Sequence, residues 1–372
     1  MKEYLLKDIC QVVNGRAYSQ SELLSCGKYP VLRVGNFFSS DRWYYSNLDL
    51  SPDKYCENGD LLFAWSASFG PKIWNGKKVV YHYHIWKLIE DDKIVDKYYL
   101  YYWLKFSVNK LTAGTHGSVM AHMTKADMEN QQIILPELSI QKKIGCLLKL
   151  IDSKIDVNNA INNNLQQQAQ SVFDSLVKAS DAGEKLTLGD VTTNIRTRIG
   201  NELLTVLSAV NCGKLQPSDE FFNKRVYSKD ISNYIKVGEG DFAYNPARIN
   251  IGSIGLNDLG FVGCVSPVYV VFSVNPNYRS FFEFYFKSSY FKAETLLRAS
   301  GSVRQSLNYG DFALITLIYP NEVIARKFNE FWQGYKSVVQ KLELENKRLA
   351  ELRDSLLPKL MNGEIDVSEI EI

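Results

Sequence analysis

Side chains able to do chemistry are few in this 372-residue chain, and none forms a complete catalytic set. His82-x-His84 has the spacing that puts two imidazoles on one face of a strand. No third ligand clusters with them, so packing or a DNA contact is favoured over a metal. All four histidines fall in the first half, so no histidine-based reaction can be duplicated in the second. Asn245-Pro246-Ala247-Arg248 lacks the second proline and the aromatic ring of the Asn-Pro-Pro-aromatic arrangement that stacks on a flipped base, and it reads as a turn. No Gly-rich loop accompanies it to hold S-adenosylmethionine. Pro52-Asp53 and Pro217-Ser218-Asp219 could open a nuclease metal site, yet no Glu-x-Lys completes either. The six cysteines are scattered without a Cys-x-x-Cys pair and read as reduced packing residues.

What the chain does offer is polar and basic side chains beside aromatics on Gly-rich loops. In the first half these are Arg33, Asn36, Arg42 and Tyr44, then Ser66, Ser68, Lys72 and Trp74, then Thr115, His116 and Ser118. In the second they are Arg196, Arg198, Lys214 and Arg225, then Asn245, Arg248 and Asn250, then Ser302, Arg304, Gln305 and Asn308. Arg can bond guanine edges bidentately and Asn or Gln adenine, while Lys and Ser can hold phosphates. Any one of them is more often a solvated surface group; the sets are the candidates for binding DNA.

The elements that must position these loops come from an internal repeat. Gly117-Ser118-Val119 recurs as Gly301-Ser302-Val303, Asp127 as Asp311, Pro136 as Pro320 and Leu165 as Leu349, each 184 residues on. Gly59-Asp60 matches Gly240-Asp241 at an offset of 181, and Lys7-Asp8-Ile9 matches Gly189-Asp190-Val191 at 182. Loop insertions explain that drift. Apolar runs such as Tyr29 to Asn36 and Val265 to Phe272 predict strands, and helices are predicted over Asp96 to Val108 and Tyr278 to Ala299. Each mixed part closes on Pro136 or Pro320, and a long helix follows.

In the first helix Ile144, Leu148, Ile151, Ile155, Asn158, Asn162, Leu165, Ala169, Val172 and Leu176 alternate fours and threes, the seam of a coiled coil. Adding 184 gives the same stripe from Phe328 to Leu360, with the second helix predicted to end near Leu357 because Pro358 disfavours helical geometry there. Asn162 and Asn346 share a seam position, and a buried Asn can fix register. The expectation is an antiparallel pair crossing near these two residues; the alternative is that Asn158 to Asn164 is a wet, weakly packed zone. The fold class is thus α+β: two mixed α/β domains, 1–136 and 181–320, joined and separated by long antiparallel coiled-coil helices over 137–180 and 321–372, with pseudo-two-fold symmetry.

Charge is near balance at +2, with 16 Lys/Arg against 14 Asp/Glu over 1–136 and 13 against 11 over 187–320. That excess is weak evidence for a polyanion partner. No run reaches the ~18 apolar residues of a membrane span, and the start lacks a signal-peptide core. The expectation is a cytoplasmic protein without membrane partners.

At this point the sequence resembles the specificity subunit of a Type I restriction-modification system along essentially its whole length. The carriers are Gly59-Asp60-Leu61-Leu62-Phe63-Ala64-Trp65-Ser66, the stretch from Thr112 to Pro136, Ser139-Ile140-Gln141-Lys142-Lys143-Ile144, Val265-Ser266-Pro267-Val268-Tyr269-Val270, and Arg353 to Leu360 followed by Gly363-Glu364-Ile365. The resemblance implies two target-recognition domains, each reading one half of a bipartite asymmetric site on double-stranded DNA, with the helix pair setting the gap. It implies two modification (methyltransferase) subunits docked on the helices, carrying S-adenosylmethionine to methylate a flipped adenine, and restriction subunits in the full complex. This chain itself would bind no cofactor and catalyse nothing. The rivals are a specificity subunit of a related fused restriction-methylation system, an enzyme with an unrecognised methyltransferase or nuclease site, and a helix-mediated scaffold for proteins.

Overall fold

The computed structural model describes every residue except 39–41, 67, 114–122, 180–182, 211–212, 223–225, 299–305 and 371–372, and omits the side chains of 109–113 and 177–179. The chain forms two compact units that do not follow chain order: Met1–Asn158 with Leu344–Ile372, and Asn159–Glu343. Each is mixed α/β and contains part of both long helices, Leu138–Ala179 and Glu322–Met361.

In the first unit an antiparallel sheet runs Cys10–Asn14, Ile85–Glu90, Leu61–Ser66, Ser68–Ile73. In the second the same order recurs as Thr192–Ile195, Val270–Val274, Phe242–Tyr244, Ile254–Leu256. The Leu61–Ser66 strand is buried on both faces because alternate side chains serve different cores. Leu61 and Phe63 join the core with Trp86, Tyr99 and the long helices, while Leu62 and Ala64 join that of Leu32, Trp74 and Tyr81. A second strand pair ties the start of each repeated α/β part to its end: Lys2–Leu5 with Gln132–Leu135, and Glu184–Thr187 with Thr316–Tyr319.

The repeated acidic residues are turn and helix fasteners. Gly59 and Gly240 sit at φ +92° and +83°, a region that costs other residues strain. The following Asp60 and Asp241 carboxylates accept from the backbone N–H groups of Glu57 and Gly238 at 2.7 and 2.8 Å. Asp8, Asp127 and Asp190 likewise accept from Leu5, Thr124 and Thr187 N–H groups, closing capping boxes on short helices. These interactions satisfy backbone donors that a short helix leaves open.

The predicted strands are shorter than the apolar runs. Tyr29–Leu32 is a strand but Val34–Phe38 is helical, and Val265 to Phe272 is split into Gly263–Val265 and Val270–Val274 by a turn containing Pro267, which cannot donate to a ladder. The helix expected over Tyr278 to Ala299 is divided into Arg279–Tyr285 and Ser289–Arg298.

Within each unit the long helices pack antiparallel. In the first, Asp152 meets Arg353 at 2.7 Å, and Asn158 Nδ2 donates to Asn346 Oδ1 at 2.9 Å; in the second, the Phe173 and Phe328 rings lie 5.8 Å apart. Asn346 therefore takes Asn158, not Asn162, as its partner. Antiparallel neighbours have numbers summing to about 504 (158 + 346 = 504), whereas repeat equivalents differ by 184, so equivalents coincide only near 160 and 344. Asn158 is fully buried and Asn162 is 7% exposed, while Asn159, Asn163 and Asn164 face solvent, so only the two seam asparagines are enclosed.

Two further expectations are corrected. Val172 is exposed and Phe173 takes its seam place, packed on Phe281, Phe284 and Phe328. A straight helix drifts about 20° per heptad, so the four heptads from Ile144 to Val172 shift the buried face by about 80°, close to one residue's step. The second helix does not stop at Pro358: the Pro358 carbonyl accepts from Asn362 N–H at 2.9 Å, and Gly363 at φ +72° ends the helix. Burial of Leu357 and Leu360 in the first unit's core offsets the lost N–H and ring crowding of an internal proline.

Gly59→Ala and Gly240→Ala should each lower unfolding free energy by about 1 kcal/mol from backbone strain alone, with the larger loss at Gly240, where an added Cβ would displace the Arg279 guanidinium. Chemical denaturation checks this, and wild-type stability in both variants would contradict a shared strained turn.

Candidate nucleic-acid interface

One end of the first unit's sheet carries a knot of rings and cations. Arg16 lies just beyond the Cys10–Asn14 strand, its guanidinium 4.9 Å from the Tyr18 ring and 2.6 Å from Glu22. Tyr18 stacks on His82 at 6.3 Å, and Trp65 lies 5.2 Å from His84 with its Nε1 donating to the Tyr83 carbonyl at 2.8 Å. His82 to His84 form the tight turn before Ile85–Glu90, not the strand expected, and their rings meet at 4.8 Å because the chain folds back there. Gly15 makes this possible, since any Cβ would strike the Tyr81 and His82 carbonyls. Burial, then His84 and Arg33, push the His82 pKa down to about 4, so its ring is neutral near pH 7. Among the described residues no group of His, Cys, Asp and Glu is arranged to hold a metal.

Four sequence candidates converge beside this knot. Arg33 and Arg42 flank the Tyr44 ring at 5.2 and 5.3 Å, a cation-π arrangement. Asn36 links them, accepting from the Arg33 N–H at 3.3 Å and donating to the Arg42 carbonyl at 2.8 Å. Others point inward: Ser66 is buried, Trp74 packs in the core with Nε1 donating to the Lys77 carbonyl, and Lys72 donates to the Phe37 carbonyl at 2.8 Å. Ser68 is exposed on the hairpin.

In the second unit Arg196, Arg198, Asn245, Arg248 and Asn308 line one cleft of about 800 Å³, together with Asn194, Asn233, Tyr269 and Tyr309. Arg198 donates to Asn233 at 3.1 Å, and Asn245 accepts from Ala247 N–H. Asn308 caps the helix Tyr309–Ala313, accepting from Asp311 N–H at 3.0 Å. Arg196 and Arg248 are exposed and form no ion pair with the described residues. Asn250 is exposed on the turn Ile249–Ile251. Lys214 is spent elsewhere, paired with Glu343 of the second long helix at 3.1 Å. Thr115, His116, Ser118, Arg225, Ser302, Arg304 and Gln305 lie outside the described residues.

The two sites occupy equivalent rims of the two related sheets. Phe63 pairs with Trp86 as Tyr244 pairs with Val270, so offsets of 181 and 184 apply to the two strands (63 + 181 = 244; 86 + 184 = 270). Under them Ala64 corresponds to Asn245 and His84 to Val268, while the 182 offset of the first strand brings Arg16 onto Arg198 (16 + 182 = 198). Backbone positions match; side chains mostly do not. Arg16, Tyr18 and Tyr83 were missed in the sequence, although the matched Arg16 and Arg198 were a readable signal.

Residues 1–167 match the family model described as Type I restriction modification DNA specificity domain. By these matches the chain resembles the Type I specificity subunits. The MjaVIII specificity subunit of Methanocaldococcus jannaschii is 28% identical over 178 residues, a stretch covering 47% of this chain and 41% of that subunit. The EcoBI specificity subunit of Escherichia coli is 18% identical over 97% of this chain and 85% of its own length. In fold, the chain is similar to the S subunit of a Type I system from M. genitalium, with a TM-score of 0.61 at 13% identity, over 96% of this chain and 95% of that one. None of the described helices is long and apolar enough to cross a membrane.

Because His82 takes up a proton in the unfolded chain near its ordinary 6.5 but in the fold only near 4, its contribution to stability is complete above pH 6.5 and is lost as pH falls through that window. Unfolding measured from pH 7 to 4 should fall less steeply in His82→Gln than in the wild type. A His82 NMR titration centred near 6.5 would contradict the enclosed neutral ring.

Proposed function

We propose that each rim reads one half of a bipartite, asymmetric site on double-stranded DNA. The observation carrying this reading is that equivalent rims of two related sheets bear different side chains. The first presents stacked rings and a neutral imidazole, with guanidinium groups resting on tyrosines; the second presents an open cleft with arginines and asparagines. Two unlike surfaces on one backbone plan suit two unlike half-sites. In the second, Arg196 and Arg248 can bond guanine edges or phosphates, and Asn245 can pair with adenine. In the first, Arg33, Asn36, Arg42 and the exposed Tyr83 would meet the duplex beside the histidine turn.

The long helices, in this reading, set the gap between half-sites and dock two modification subunits, with restriction subunits joining the full complex. S-adenosylmethionine would reside on the modification subunits, where it supplies the methyl group. This chain would contribute binding and orientation only, working in the cytoplasm. The scarcity of catalytic residue sets in its sequence supports that division of labour.

Within the complex with its modification subunits, Arg196→Ala and Arg248→Ala should each weaken DNA binding by about 5- to 100-fold, with altered sequence preference confined to one half-site. Lys214→Ala, whose ammonium faces Glu343, should change affinity less than about twofold. Fluorescence anisotropy on duplexes varied in one half at a time checks this. Unchanged binding in the arginine variants, or an equal loss in Lys214→Ala, would contradict the assignment.

A further inference from the structure

The long helices carry opposite charges at one repeat-equivalent position, and each charge is answered by the domain packed beside it. Asp152 of the first helix accepts from the Tyr102 hydroxyl at 2.7 Å and from Arg353 at 2.7 Å, with Lys105 at 4.0 Å. The equivalent residue of the second helix is Lys336 (152 + 184 = 336). Lys336 is 6% exposed and lies 2.8 Å from Asp258 and 3.3 Å from Glu283, whose carboxylate also accepts from Trp332 Nε1 at 3.0 Å. Arg353, the partner of Asp152, has Ala169 as its counterpart (169 + 184 = 353), which is fully buried. One junction is therefore an anion held by a phenol and two cations; the other is a cation held by two carboxylates.

The geometry points to these junctions as a charge key that decides which recognition domain each helix accepts. The Lys336 surface fits a domain presenting paired carboxylates; the Asp152 surface fits one presenting a hydroxyl and a cation. A domain seated on the wrong helix would bury like charges together, and an unpaired buried charge is far more costly than a matched pair is stabilising. The repeat makes the two domains alike enough to exchange places, and the key opposes that exchange. It gives the subunit a fixed polarity. This holds whether or not the rims read DNA as proposed.

The test is a set of full-length chimeras in which residues 1–136 replace 181–320, so that the Tyr102 and Lys105 surface faces the second helix. With Lys336 retained, the thermal midpoint should fall below that of the chimera carrying Lys336→Asp and Ala169→Arg by on the order of 10 °C. Lys336→Met should fall between them. The reciprocal chimera, with 181–320 in place of 1–136, should be rescued by Asp152→Lys with Arg353→Ala. Equal midpoints across position 336, or charge-matched chimeras that fail to fold in both directions, would overturn the proposal.

Discussion

Everything in this molecule depends on each globular core being closed by segments from distant parts of the chain. Leu357, Leu360 and Val367, near the C-terminus, are buried among Leu6, Tyr99, Ile144 and Leu148. Ala169 and Phe173 of the first helix are buried among Phe281, Phe284, Phe328 and Trp332 in the second unit. Fully burying one such side chain contributes roughly 1.5–3 kcal/mol, comparable to a good part of a domain's net stability. The two repeats are therefore not the two folding units. The second unit begins at Asn159 and ends at Glu343, a separation equal to the repeat offset (343 − 159 = 184), so the cores exchange helix segments about the centre of the repeat.

Repetition and divergence fall on different residues for a physical reason. Gly59 and Gly240 need a backbone conformation that side chains resist, and Asp8, Asp60 and Asp127, with Asp190 and Asp241, satisfy backbone donors at helix starts and turns. Few other residues can do either. The rim positions carry no such obligation, so a core-packed Ala64 can stand where Asn245 lines the cleft, and His84 where Val268 is exposed. The scaffold holds the shape constant while the outward chemistry changes, which suits the two unlike half-sites of the proposed function. The junctions at Asp152 and Lys336 sit between these extremes: the position is repeated, the sign is not.

Long-period features were legible in the sequence because many residues vote for them. The helix seam, the repeated Gly-Asp start of the central strand and the mixed α/β class all follow from spacing, whereas the antiparallel pairing is an expectation that spacing alone does not decide. Features set by single tertiary contacts were not legible. Asn158, rather than Asn162, meets Asn346 because antiparallel pairing matches positions by their sum, not by the repeat offset. Phe173 displaced Val172 because helical drift and an aromatic core outweighed the heptad. The His82 and His84 spacing resembles a strand face, but the close approach at Gly15 belongs to a turn. Trp74 and Ser66 carry polar groups suited to contact with a ligand, yet both are buried and Trp74 meets its hydrogen bond within the fold. In the second half, Arg196 and Arg198 stand in one sequence set, Asn245 and Arg248 in another and Asn308 in a third, and only the folded sheet shows that they line one cleft.

The most direct test is selection from a pool of fully randomised duplexes by the chain assembled with its modification subunits. Two short, dissimilar sequence blocks separated by an unspecified gap of constant length are the predicted result. Enrichment of one uninterrupted block, of a perfect palindrome, or of no sequence at all would contradict two different reading surfaces acting on one duplex.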